Sequence, residues 1–304
     1  MQISANGLAI EVDDQGPPGG SPILLLMGLG MQLTGWPEPF VRMLVARGNR
    51  VIRIDNRDAG LSQGFEASGT PNLAWATLRY LLHLPVHAPY SLADMAGDAL
   101  GVLDALGIAK AHVCGASMGG MIAQHMAASR PELVSRLTLL MTTSGSRRLP
   151  QPSARVRAAL IDRRGVGGRG LEAEVERLMR LLTLIGSPSF PPDSNELRAR
   201  LTASVQRAWR PGGVARQLVA VAADGDRSAL LARISAPTHI VHGAQDPLVP
   251  VAAAHELKAR IAGSTLEVID GMGHDLPEPL WPRLVAAIDR KPPTAGPKAP
   301  RDGQ

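Results

Sequence analysis

Three side chains in this 304-residue chain have the types and the order needed for nucleophilic acyl chemistry: Ser117, Asp246 and His274. A serine hydroxyl is a weak nucleophile, so it needs a base within hydrogen-bond reach and usually an acid to orient that base. Gly115-Ala116-Ser117-Met118-Gly119 fits the pattern G-x-S-x-G. In its working context this pattern sits on a tight turn from a strand to a helix. An apolar run precedes it here and a helical pattern follows. Small residues at 115 and 119 let backbone segments pass without a Cβ between them. The competing reading, a glycine-rich turn with an incidental serine, loses ground once the other two groups are considered.

Asp246 follows the apolar run 238–243 and stands in a loop bounded by Gly243 and Pro247. An Asx-turn or capping role is the ordinary alternative for such an aspartate. His274 comes 28 positions later in Asp270-Gly271-Met272-Gly273-His274, a glycine-flanked loop after the last strand pattern. The order Ser, Asp, His is the one associated with this kind of turn on a parallel sheet. Asp270 is the second candidate for the acid, but it would have to fold back across its own loop. His239 and His242 read as strand histidines, and the remaining histidines lack a glycine-flanked strand-end setting.

A tetrahedral oxyanion requires two backbone N–H donors. Met118, next to the serine, supplies one, and Leu29, between Gly28 and Gly30 in the loop after 23–27, supplies the other. Gly28, Gly30 and Met31 are the expected pocket residues beside them. Gly28-x-Gly30 with Asp55 further on partly matches a dinucleotide fingerprint, but the third glycine would fall at Leu33. Neither a phosphate loop ending in Gly-Lys-Ser/Thr nor a His-Glu-x-x-His metal motif occurs. The expectation is therefore chemistry with no cofactor and no metal.

The elements that must position these groups alternate short apolar runs with amphipathic stretches, the pattern of a parallel sheet covered by helices. Strands are expected at 23–27, 50–55, 111–115, 137–141, 238–243 and 265–270. A hairpin at 3–5 and 8–12 precedes them, turned by Asn6-Gly7, which suits the two positive-φ positions of a type I′ turn. The class is α/β, with an eight-stranded mostly parallel sheet flanked by helices. Helices are expected at 91–106, capped by Ser91, and at 118–129, 251–261 and 279–288. Strand signals vanish across 144–236, where helix formers are broken at 165–168 and 187–192. This segment reads as an inserted helical cap or lid, with 1–143 and 237–290 forming the core. The Pro- and Lys-containing segment 291–304 reads as a disordered tail.

Composition excludes several classes. Charged residues are 19% and hydrophobic residues 45%, values of an ordinary globular chain. The net charge is +5, but the arginines are spread along the sequence and read as solvated helix faces, so no nucleic-acid partner is expected. No apolar run approaches the roughly 20 residues of a membrane span. The N-terminus lacks the basic and apolar regions of a secretory signal, which leads to an expected cytoplasmic location. Cys114, the single cysteine, forms no intramolecular disulfide and reads as a buried strand residue.

Taken together, the residues resemble the α/β-hydrolase superfamily over nearly the whole chain. Beyond the three side chains, Asp55-Asn56-Arg57-Asp58-Ala59-Gly60-Leu61-Ser62 is similar to its D-x-R-G-x-G-x-S segment, with Asp58 where glycine is frequent. Met27-Gly28 stands where many members have His-Gly. The Leu-Leu-Met-Gly-Leu-Gly run, Gly35-Trp36-Pro37 and Gly271-Met272-Gly273-His274 are similar to the aclacinomycin methylesterase type. The resemblance implies a serine esterase acting on a small-molecule ester through an acyl-enzyme, without a cofactor. Hydrolysis of a carbon–carbon bond in a diketone, cofactor-free perhydrolysis and a catalytically idle binding module are the alternatives. With aromatic residues at only 3%, the pocket lining is expected to be aliphatic and methionine-rich, with Leu29, Met31 and Met118 as candidates. Trp36, Trp75 and Trp209 are further candidates, each with packing as the simpler role.

Overall fold

The computed structural model describes residues 1–162 and 170–290; the expected tail at 291–304 and the glycine-rich break at 165–168 lie outside the described residues. Eight strands form one sheet: β1 Gln2–Ala5, β2 Leu8–Gln15, β3 Ser21–Leu26, β4 Asn49–Ile54, β5 Ala111–Ala116, β6 Val134–Leu140, β7 Thr238–Gly243 and β8 Thr265–Ile269. Their spatial order is β1-β2-β4-β3-β5-β6-β7-β8. The β1–β2 and β2–β4 pairs are antiparallel and all others parallel. Asn6 and Gly7 both take positive φ, and Ala5 pairs with Leu8 across the turn. The expected sheet is present, with strand ends within three residues of the sequence reading and 238–243 matched at both ends.

Helices α1 Glu38–Val45, α2 Leu73–Leu81, α3 Leu92–Ala105 and α4 Met118–Ser129 lie before β6. Between β6 and β7 come α5 Ala154–Ile161, α6 Leu171–Ile185, α7 Ser194–Arg207, α8 Pro211–Asp224 and α9 Ser228–Leu231; α10 Ala252–Arg260 and α11 Trp281–Ile288 follow. Ser91 caps α3 in a reciprocal capping box with Asp94, satisfying two of the orphan donors at that end. Helices α1 and α2 are additions to the sequence reading. Alternation along the strands divides the core: Leu24 and Leu26 of β3 face α3, α4 and α10, whereas Ile23 and Leu25 face α1 and α11.

Two buried ion pairs fasten the segment after β4. Arg57 grips Asp98 of α3 through two hydrogen bonds of 2.6 Å, and Asn6 donates to the same carboxylate at 2.9 Å. Asp58 occupies the left-handed region at φ 67°, which accounts for the frequency of glycine at this position in the resembled segment. Here its carboxylate accepts from Arg216 of α8 at 2.7 and 2.8 Å, from Tyr90 at 2.7 Å and from Phe65 N–H at 2.8 Å. Burial works against the Asp58 charge, yet these donors hold its pKa below the usual carboxylate range.

Removing one side of the Arg57–Asp98 pair leaves an uncompensated buried charge, which costs about 3–5 kcal/mol. Arg57→Met should lower unfolding stability in urea by that amount, and Arg57→Met with Asp98→Leu should recover a substantial part. A double variant no more stable than the single would show that desolvation does not set the cost.

Candidate active site

Ser117 stands between β5 and α4 at φ 54° and ψ −119°, a conformation that side-chain-bearing residues rarely adopt. The turn is that sharp because α4 begins directly against the sheet. A Cβ on Gly115 would lie 2.2 Å from Gly119 O, and one on Gly119 would lie 2.1 Å from Leu26 O. The strained residue is held by Ser117 N–H donating to Leu140 O at 3.0 Å and by Thr142 Oγ1 donating to Ser117 O at 2.7 Å. Cys114 just upstream is fully buried, and burial pushes its thiol pKa up.

The loops after β7 and β8 bring the other two groups to the serine. His274 Nε2 lies 3.0 Å from Ser117 Oγ, and His274 Nδ1 lies 2.7 Å from Asp246 Oδ2. An ionised carboxylate only accepts, so Nδ1 carries the proton and the Nε2 lone pair faces the serine hydroxyl. The two carboxylate oxygens of Asp246 are engaged separately. Oδ1 accepts from Leu248 N–H at 2.9 Å and Val249 N–H at 2.8 Å, fixing the turn, while Oδ2 faces the imidazole. Asp270 lies elsewhere, accepting from Gln245 at 2.9 Å.

The loop after β3 passes close to the serine: a Cβ on Gly28 would sit 3.2 Å from Ser117 Cβ. Among the described residues neither Leu29 N–H nor Met118 N–H donates to a protein acceptor. Gly28, Leu29, Gly30, Met31, Met118, Ser117 and His274 all border one cavity of about 1940 Å³. Trp36 and Trp209 border it too, and Trp75 does not. No group of three or more potential metal ligands occurs among the described residues.

Four further residues near these groups lie outside the set expected from sequence. Gln217 of α8 accepts from Gly30 N–H at 2.8 Å and donates to Arg57 O at 2.8 Å, clamping the Gly28–Gly30 loop. Ser187 accepts from Gly273 N–H at 2.9 Å and donates through its hydroxyl to Asp275, while His274 N–H donates to Ile185 O at 2.8 Å. The histidine loop is thus stitched to the chain leaving α6. Burial raises the Asp275 carboxyl pKa. His242, a strand histidine as expected, is fully buried with Nε2 2.7 Å from Val249 O and 3.5 Å from Asp246 Oδ2. Burial lowers its pKa, favouring the neutral ring. Sequence carries no signal for Ser187 or Gln217, since their partners are 86 and 187 positions away.

Residues 21–167 match the family model described as alpha/beta hydrolase fold. Rhodomycin D methylesterase DauP of Streptomyces sp. is 31% identical, with 94% of this chain and 95% of that protein covered. A 2-hydroxy-6-oxononadienedioate/2-hydroxy-6-oxononatrienedioate hydrolase of Cupriavidus pinatubonensis is 27% identical over 87% of this chain and 84% of its own. Among solved structures, the meta-cleavage product hydrolase of Pseudomonas fluorescens superposes with a TM-score of 0.73 at 21% identity, covering 95% of each chain.

The strain at position 117 should be measurable. A left-handed non-glycine residue costs about 1–3 kcal/mol, and a glycine gives back up to ~1 kcal/mol through chain entropy. Ser117→Gly should therefore be more stable than the parent by about 1 kcal/mol in urea unfolding; a lower stability would remove the strain argument. Ser187→Ala takes away about one net hydrogen bond's worth of restraint on the histidine loop, so fluorophosphonate labelling of Ser117 should slow roughly tenfold. An unchanged labelling rate would show that the loop holds itself.

Proposed function

Since this chain belongs to the alpha/beta hydrolase fold family, we propose that it is a serine esterase that cleaves a methyl ester of a bulky, largely apolar acid. The observation that carries the reading is the hydrogen-bonded line Ser117, His274, Asp246, at 3.0 and 2.7 Å, in the wall of a large cavity. Ser117 Oγ attacks the ester carbonyl carbon as its proton passes to His274 Nε2. Asp246 keeps the ring oriented and stabilises the imidazolium. Leu29 N–H and Met118 N–H receive the oxyanion, each such donor being worth about 10²- to 10³-fold in rate. Collapse breaks the bond to the alkoxy oxygen, which leaves as the alcohol with the proton from His274. Water then gives a proton to His274 and attacks the acyl-enzyme, and collapse releases the carboxylic acid and restores the serine.

The substrate class follows from two supports. The relative at 31% identity is named for methyl-ester cleavage on rhodomycin D. The cavity of about 1940 Å³ exceeds the roughly 300–1,000 Å³ of ordinary small-molecule pockets, so it has space for a large acid portion. In this reading 1–143 and 237–290 form the catalytic core, and 144–236 forms a helical cap that closes the cavity over Ser117. Gln217 and Ser187 belong to that cap and position the oxyanion loop and the histidine loop.

Ser117→Ala should abolish turnover of methyl esters of polycyclic acids and of p-nitrophenyl esters, and should lose fluorophosphonate labelling, with an unchanged circular dichroism spectrum. Retained turnover would overturn the serine mechanism. A diketone cleaved in preference to every ester tested would replace ester hydrolysis with carbon–carbon bond hydrolysis on the same residues.

A further inference from the structure

Helix α2 has no buried residue, although it is apolar on two sides. Leu73, Ala76, Thr77, Tyr80 and Leu81 follow helical spacing and border the active-site cavity. The opposite side carries Trp75, Leu78 and Leu82, with relative exposures of 56%, 45% and 59%. Leu84 follows at 44% and Ile161, at the end of α5, adds 42%. Ile161 and Leu73 border one shallow hollow, so α5 continues the same surface. A helix that covers a cavity with one side ordinarily turns charged residues outward with the other. This one turns outward a tryptophan and two leucines.

The rim of that surface is basic. Segments 69–91 and 144–161 contain five arginines and two histidines and no Asp or Glu, and one carboxylate, Asp162 at the end of α5, borders the hollow beside them. Arg147 lies against α2: its guanidinium is 4.3 Å from the Tyr80 ring centre, and its Nη1 is 2.6 Å from His83 Nδ1. Arg79 lies 6.0 Å over the Trp75 ring. Arg148, Arg155 and Arg157 are exposed on the neighbouring segment. Arginines scattered along the sequence are thus gathered beside exposed apolar side chains at the edge of the cavity.

We propose that the outward face of α2 and its arginine rim dock the protein on an anionic lipid surface, as a peripheral contact with α2 lying in the interface. Apolar side chains with tryptophan on one side and cations around them are the combination that binds at the headgroup boundary. Charge decides against a second copy of the chain. A two-fold dimer on this face would set the same five arginines against their own images, with Asp162 too little negative charge to offset five cations. An anionic bilayer supplies both the apolar interior and the counter-charge. No helix among the described residues is long and apolar enough to cross a membrane, which leaves a surface contact as the mode.

The test is co-sedimentation of the full chain with vesicles of phosphatidylglycerol and phosphatidylcholine, against vesicles of phosphatidylcholine alone. Binding should require the anionic lipid and weaken in high salt, since the Debye length falls to ~3 Å at 1 M. Leu78→Glu with Leu82→Glu should lower the partition coefficient about tenfold or more, because two apolar contacts are replaced by repelled charges. Both positions lie outside the cavity wall, and a wild-type thermal midpoint would show the variant to be folded. Absence of binding to anionic vesicles, or equal binding by the folded double variant, would overturn the proposal. So would a dimer in sedimentation equilibrium that the double variant dissociates while the parent ignores vesicles. None of these readouts depends on catalysis, so they fail or succeed independently of the esterase reading.

Discussion

The closeness of α4 to the sheet is the constraint on which the site depends. Backbone passes backbone at Gly115 and Gly119, with no room for a Cβ at either. The chain must reverse within one residue, and Ser117 is that residue, forced to φ 54° with its side chain projecting from the turn. Stability is given up locally to place one hydroxyl, and the surrounding sheet absorbs the cost through the hydrogen bonds to Leu140 O and from Thr142. The same crossing starts α4 at Met118 with a free N–H beside the serine, so the projecting hydroxyl and the free N–H are products of one packing decision.

The helices between β6 and β7 contribute more than a wall to the cavity. Their polar side chains reach into the strand-end loops at separate points: Arg216 to Asp58, Arg207 to Asp55 at 2.7 Å, Gln217 to Gly30 and Ser187 to the histidine loop. These contacts are buried or part-buried, where a hydrogen bond left unmade is costly and a satisfied one fixes geometry. Loops that are only a few residues long are thereby held from both sides, by the strands they extend and by the helices above. Movement of the inserted helices would be felt directly at the Gly28–Gly30 loop and at the imidazole. This links any opening of the cavity to the alignment of the proposed catalytic groups.

Charge is distributed unevenly between interior and surface. Inside, each buried arginine among the described residues faces a carboxylate, with Arg57 on Asp98 and Arg216 on Asp58 as the most enclosed cases. At the rim of α2 the arginines lack such partners in their own segments and stand beside exposed leucines and a tryptophan. The same residue type therefore serves as a structural clamp in one place and as part of an interaction surface in another. Burial and the nearest carboxylate decide which.

Local chemistry makes much of this protein legible in its sequence. Short apolar runs mark the strands, Asn6-Gly7 marks the hairpin, and Ser91 marks the start of α3, because each depends on neighbours within a few positions. Order along the chain and glycine-flanked strand ends single out Ser117, Asp246 and His274. Sequence does not reveal helices α1 and α2, whose apolar residues face a core and a cavity built by distant segments. Nor does it reveal Gln217 or Ser187, polar residues whose roles come from partners 187 and 86 positions away. The gathering of dispersed arginines around α2 belongs to the same category. Residue type and local spacing determine which turn, strand or helix a segment favours, whereas partners far apart in the chain are chosen only when the sheet closes and the inserted helices settle over it.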